Sequence, residues 1–304
     1  MTDISASVGA SVTAAKGRSL WDDARRRLVR NPAAVVGIGA VLVLALAGAV
    51  GVLNYSFPGL LGLHPVDMLY RDQVSIAPSF ARGHWIGTDG QGRDLLSRTV
   101  FGLGISLAVG LVATTVSLVI GVLWGASAGY VGGPVDTVMM RLVDVLYSVP
   151  FIFFVILLIQ VFGSNIWLIF VAIGAVEWLT MARIVRGQTI SLRQKEFVEA
   201  AKAGGASGPA IVLRHIVPNL MGPVVVFATL NVARVILLES FLSFLGLGVQ
   251  EPLTSLGKLI ADGANNMDTA PWMIIYPAGA MFVTLLCLNF VGDGLRDALD
   301  PKDR

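Results

Sequence analysis

Charge is scarce in this sequence. Of its 304 residues only 14% are Asp, Glu, Lys or Arg and 55% are hydrophobic, and the mean hydropathy is +0.76. A soluble domain carries roughly a quarter charged residues, so a soluble core of this size is excluded. Cysteine is almost absent. The one thiol, Cys287, lies in an apolar run, which rules out an internal disulfide and any cysteine-based metal site and leaves a small buried hydrophobe. His64, His84 and His215 are far apart and fall on both sides of the membrane in the span assignment below, so no metal cluster is expected. The phosphate-cradling pattern G-x-x-x-x-G-K-[ST] is missing: Gly257-Lys258 runs into Leu259, and Pro252 holds the earlier glycine position. Asp89–Asp94 superficially suggests a calcium loop, but Gly90 and Gly92 break the ligand spacing. A helix-start turn with Thr88 and Gln91 as a capping pair is expected there instead. No nucleophile, base and orienting group converge, so no catalytic site is expected.

What the chain has in abundance is long apolar runs. A bilayer core of about 30 Å needs roughly 20 apolar residues in a helix. Residues 33–53, 101–129 and 271–292 contain no charge, and 145–163 contains only Pro150 as an obstacle, which neighbouring helices can accommodate. Residues 164–182 carry Glu177, and 217–241 carry Arg234 and Glu239. Six transmembrane helices in an all-α, polytopic membrane protein are therefore expected. The polar N-terminus precedes the first apolar run by about thirty residues, too far for a cleaved secretory signal.

Basic residues set the orientation, because cytoplasmic flanks of spans are enriched in Lys and Arg. Lys16, Arg18, Arg25, Arg26, Arg27 and Arg30 precede the first span; Arg183, Arg186, Arg193, Lys195, Lys202 and Arg214 lie between the fourth and fifth; Arg296, Lys302 and Arg304 follow the sixth. Arg71, Arg82, Arg93, Arg98 and Lys258 are diluted over the other side. Both termini are thus expected in the cytoplasm, with Arg25–Arg30 as a helix on the anionic inner leaflet. The chain divides into a cytoplasmic segment 1–32, a first span 33–53, an extracytoplasmic loop 54–100, a core 101–294 of five spans with a cytoplasmic loop 183–217, and a tail 295–304.

Gly121, Gly125 and Gly129 share one helix face. Lipid gives no hydrophobic push between helices, so such small residues favour association by letting backbones approach closely. Charges inside a span are costly and face protein or water. Arg234 and Glu239 are five residues apart, about 140° around a helix, and are poorly placed to pair. Separate partners are expected for the two, on other helices, another chain or a water-filled path, and with Glu177 they are the candidate functional charges. For Glu239 a structural place beside the Gly246–Gly248 turn is the alternative.

The most informative segment reads KEFVEAAKAGGASGPAIVLRHIVPN from Lys195 to Asn219. Residues 195–203 are good helix formers ended by Gly204-Gly205, and Ser207 can cap a second helix with Pro209 in its first turn. Phe197, Ala200 and Ala201 share a face of the first helix, small at its centre. Such a helix can lie in a partner's groove or at the lipid surface.

The pattern Glu199-Ala200-Ala201, three residues, Gly205, then Ile211, His215 and Pro218 resembles the EAA loop of ABC importer permeases. HWIGTDGQGRDLLSR (84–98), AGYVGGPVDTVMMRLVD (128–144), ESFLSFLGLGVQEP (239–252) and GDGLRDALDP (292–301) are similar, in order, to the dipeptide and oligopeptide branch of that family. GRSLWDDARRRLVRNPAA (17–34) resembles the start of the oligopeptide C-type subunits. One departure is Gly102-Leu103-Gly104, where the branch often reads Gly-Ala-Arg, so no role of that arginine is carried to Gly104.

The resemblance implies a type I ABC importer permease fold for peptides, oligopeptides first and dipeptides next. It implies a second homologous permease, two cytoplasmic ATPases and an extracytoplasmic solute-binding protein as partners, in a bacterial inner membrane. It implies no cofactor on this chain, with ATP and Mg²⁺ in the ATPases, and no nucleic acid. Glu199, Ala200, Ala201 and Gly205, with Phe197 and His215, would form the coupling contact. Nickel or glutathione import in the same branch, and an ion-coupled secondary transporter using the intramembrane charges, are the alternatives.

Overall fold

The computed structural model describes residues 20–163 and 166–299, and its described residues form helices and loops with no strand longer than an isolated bridge. A short helix α1 (Leu20–Arg30) leads through an Asn31 cap into α2 (Pro32–Ser56). Pro32 opens that helix because its missing N–H would have had no partner there, while the Asn31 side chain accepts from Ala34. A folded loop then reaches α3 (Leu95–Val131), which at 37 residues is about 56 Å long and outreaches a bilayer core.

Four helices are each long and apolar enough to cross a membrane: α2, α3, the run from Gly208 to Phe244 and α11 (Trp272–Leu299). A fifth crossing forms if α4 (Gly133–Ser148) and α5 (Phe151–Phe162) count as one broken span. The sixth membrane-length helix is α6 (Ile166–Arg193), 28 residues long with Glu177 in its middle. The six-helix architecture therefore stands, with one correction. The uninterrupted helix expected over 145–163 is bent by 80° between α4 and α5. Pro150 lacks an N–H, and its ring pushes Val149 out of the helical region to φ −77°, ψ 120°.

Beyond α6 come α7 (Glu196–Ala203), α8 (Gly208–Ile211), one turn of π-helix (Val212–Ile216) and α9 (Val217–Phe244). A short α10 (Leu256–Ala264) precedes α11. Residues 183–193, expected as loop, continue α6, and two basic residues there pair with α4: Arg186 holds Asp136 with a two-pronged contact of 2.5 and 2.7 Å, and Arg183 lies 2.9 Å from Asp144.

α3 is the central helix, flanked by α6, α2 and α9, with α11 closing against α2 and α9. Gly121, Gly125 and Gly129 all face α6; a Cβ on Gly129 would come within 2.8 Å of the Arg186 carbonyl oxygen. On its other side α3 crosses α2 where Gly104 meets the Gly48 backbone. A side chain at 104 would collide there, which is a physical reason for glycine where the branch often has arginine. The outer face of α2 carries exposed Val36, Val43 and Leu46, as a helix facing hydrocarbon should.

Candidate functional site

Helix α7 owes its position to one residue that the sequence pattern did not single out. Val198 is fully buried and belongs to one apolar cluster with Val122 and Ala126 of α3, Met181 and Val185 of α6, and Ile211 and Ile216. Half-buried Ala201 follows it one turn later, so the inward pair is Val198 and Ala201. Phe197, Glu199 and Ala200 are exposed, so the expected face of Phe197, Ala200 and Ala201 is divided between solvent and core. The spacing of Val198 and Ala201 was the available signal.

The helix ends in a Schellman arrangement. The Ala206 N–H donates to the Ala201 carbonyl at 3.1 Å and the Gly205 N–H to Lys202 at 3.0 Å. Gly205 adopts φ +78°, which an L side chain adopts only with strain. Ser207 occupies the cap position of α8 without a side-chain hydrogen bond, and Pro209 sits in the first turn. His215 is half-buried on the π turn, and its carbonyl accepts from the Asn219 amide at 2.6 Å. The hairpin thus offers a partner a small, shallow face on a firm base.

The intramembrane charges separate as the helix geometry requires. Arg234 is 3.9 Å from Glu177 of α6, not from Glu239. Glu177 is buried with one carboxylate oxygen lacking any hydrogen-bond partner, while the Arg234 side chain is 53% exposed. Glu239 is fully buried and accepts from Ser243 at 2.7 Å and Ser106 at 3.2 Å. Ser243 lies 3.3 Å from Ser255, whose hydroxyl caps α10 by accepting from Lys258, and Ser106 accepts from the Leu256 N–H. This geometry supports Glu239 as the tie between α3, α9 and the start of α10.

At the end of α3 remote from α7, the loop 57–94 is pinned by charge. Arg93 binds Asp89 at 2.7 Å and Glu251 at 3.0 Å, and buried Arg98 lies 3.4 Å from Asp89. Asp89 is thus committed to arginines. The helix cap is Asp94, which accepts from the Ser97 N–H at 2.8 Å, in place of the expected Thr88 and Gln91 pair. Thr88 accepts from Ile76, and Gln91 reaches Glu251. The histidines need a further correction. His64 and His84 stack with ring centroids 4.7 Å apart, and with Asp94 they place ligand-type atoms within 4.8 Å of one another. Both Nδ1 atoms are engaged: His84 Nδ1 is 2.8 Å from Asp94, and His64 Nδ1 is 2.8 Å from the Tyr70 hydroxyl.

Burial alone would raise the Glu251 carboxyl, but the hydrogen bond and charge of Arg93 outweigh it and hold it below its ordinary value. A depressed carboxylate adds stability above its unfolded value of about 4.3 and loses it as pH falls through the lower folded value. The clasp between the loop and residue 251 is therefore expected to loosen only in acid. Protease nicking of the loop should rise as pH is lowered below about 4, and Glu251→Gln should remove that pH response.

The family described as binding-protein-dependent transport system inner membrane component matches residues 117–304, and the N-terminal TM domain of oligopeptide transport permease C matches residues 19–61. The chain belongs to the family of binding-protein-dependent transport system inner membrane components. It is 56% identical over 289 residues to the oligopeptide transport system permease protein OppC of Escherichia coli (strain K12), covering 95% of this chain and 93% of the relative. It is 52% identical over 293 residues to the same-named protein of Haemophilus influenzae, covering 95% and 91%. The dipeptide transport system permease protein DppC of Bacillus subtilis is 40% identical over 287 residues, covering 94% and 87%.

Proposed function

We propose that this chain is one of two permeases of an ATP-driven, binding-protein-dependent peptide importer in a bacterial inner membrane, with both termini in the cytoplasm. Oligopeptides are the first substrate class and dipeptides the second. A solute-binding protein delivers the peptide from outside, a homologous permease completes the pathway, and two ATPases holding ATP and Mg²⁺ dock on the coupling hairpins. This chain supplies no cofactor and no hydrolytic group.

The observation that carries the reading is the α7 hairpin. Its exposed face is small at Ala200, and its buried Val198 sits in one cluster with α3 and α6. A push on α7 therefore reaches the two helices that form the centre of the bundle. The paired charges Arg186–Asp136 and Arg183–Asp144 tie α4 to the same lever.

The test is uptake by proteoliposomes holding this chain, the second permease, both ATPases and the binding protein. Uptake of a labelled oligopeptide should require internal ATP and external binding protein together. Uptake driven by a proton gradient in the absence of ATP would overturn the reading.

A further inference from the structure

A cavity of about 220 Å³ opens at the break between α4 and α5, bounded by Tyr147, Pro150, Phe151, Glu177, Arg234 and Leu238. We propose that this cavity is a subsite for the main chain of the peptide, with Glu177 accepting a peptide N–H and Arg234 donating to a peptide carbonyl. The inference rests on the peptide-importer reading above.

Two independent features put this face against protein or water, not lipid. A guanidinium that is half exposed inside a span cannot face hydrocarbon. An interrupted helix at membrane depth is tolerated only where protein buries it or a water-filled space adjoins it. In membrane transporters such interruptions recur where solutes bind, because they bring polar groups to an otherwise apolar wall.

The polar groups here are incompletely engaged. The Glu177 side chain is only 4% exposed, and its Oε2 has no hydrogen-bond partner. A buried acceptor without a donor is costly, so the site favours an arriving N–H. The contact to Arg234 is 3.9 Å, too long for a hydrogen bond, and the guanidinium has five donors to offer. Every peptide presents N–H and C=O groups in alternation, whatever its side chains. The rest of the wall carries no charge and, apart from Tyr147 and Thr180, is apolar, with Val149, Phe151 and Val176, so it can take side chains without sorting them by charge. A donor–acceptor pair in such a wall suits a carrier that must accept many sequences.

The test uses the complete importer in proteoliposomes with labelled penta-alanine and penta-alanine N-methylated along its backbone. Glu177→Ala and Arg234→Ala are each expected to lower penta-alanine uptake about tenfold, as for loss of one charge-assisted hydrogen bond. Glu177→Gln keeps an acceptor oxygen and should retain most of it. N-methylation should penalise uptake less in Glu177→Ala than in the parent, the coupling that a double-mutant cycle reads. Should a single variant fail to assemble, Glu177→Leu/Arg234→Met removes both charges and the acceptor together and carries the N-methyl comparison. Unchanged uptake in the alanine variants, or an equal N-methyl penalty with and without Glu177, overturns the subsite and leaves the importer reading intact. Loss of the second permease on purification from both the alanine and the double variants overturns it too, by making the pair a subunit contact. If the parent importer itself carries no penta-alanine with ATP, both readings fall.

Discussion

Gly125→Val is expected to yield almost no folded protein. A Cβ at this position would press on the Ala182 carbonyl oxygen and come within 2.9 Å of the Arg186 nitrogen and 3.0 Å of Val185 Cβ. Two of those three neighbours are backbone atoms of α6, which cannot rotate aside. One turn earlier, Gly121 is as crowded, with Met181 Cβ at 2.5 Å from a built Cβ. Overpacking of a close-packed core typically costs about 1–3 kcal/mol even where side chains can adjust. Here α3 would have to move off α6 along the longest contact in the bundle, and the base of α7 would move with it. Thermal unfolding of the purified chain in detergent, with the yield of monodisperse protein, reads the effect. Gly279→Ala is the control, because nothing lies within 4 Å of a Cβ there. That variant should unfold at or slightly above the parent temperature, since alanine restricts the unfolded chain more than glycine. If Gly125→Val and Gly279→Ala unfold alike, the α3–α6 contact does not hold the bundle together.

The same glycines show how far the sequence could be read. Their four-residue spacing signalled a tight helix contact, but only the fold showed α6 as the partner. Long uncharged runs were legible because a membrane-spanning helix must be about 20 residues of apolar chain. The broken span was not, because hydropathy averages across 145–163 and Pro150 either kinks a helix or is absorbed by it according to its neighbours. The 140° between Arg234 and Glu239 correctly separated them, since that angle is fixed by helix geometry alone. Of their actual partners, Glu177 and Ser106 come from other helices, which no local pattern contains, whereas Ser243 lies one turn beyond Glu239 on α9, at a spacing the sequence did display. The stacking of His64 on His84 was hidden for a similar reason. They stand twenty positions apart in an irregular loop, and loop conformation is set by distant anchors such as Glu251 on Arg93. Around α7 the helix and its glycine stop were readable, whereas Val198 was overshadowed by the more conspicuous Phe197. A valine inside a short polar helix identifies itself as an anchor only when the core it enters is known.

The second large effect is expected from Gly205→Val, which should insert normally in the membrane yet abolish transport. Gly205 stands at φ +78°, and holding a β-branched residue there costs about 1–3 kcal/mol. The strain is relieved by giving up the Ala206-to-Ala201 and Gly205-to-Lys202 hydrogen bonds that close α7. The turn then no longer returns Ala206 and Ile211 to the cluster around Val198, and α7 loses its fixed angle to α3 and α6. The spans do not feel the change directly, because nothing lies within 4 Å of a Cβ on Gly205. Assembly in the membrane should therefore persist while the lever between ATPase and bundle goes slack. Gly205→Asn separates conformation from bulk, since asparagine tolerates the left-handed region better than other non-glycine residues. The asparagine variant should keep substantial uptake, and the valine variant should lose both uptake and the stimulation of ATP hydrolysis by peptide-loaded binding protein. Measuring the two activities side by side in proteoliposomes decides the point. If Gly205→Val retains both, the α7 hairpin is not where the energy of ATP enters this chain.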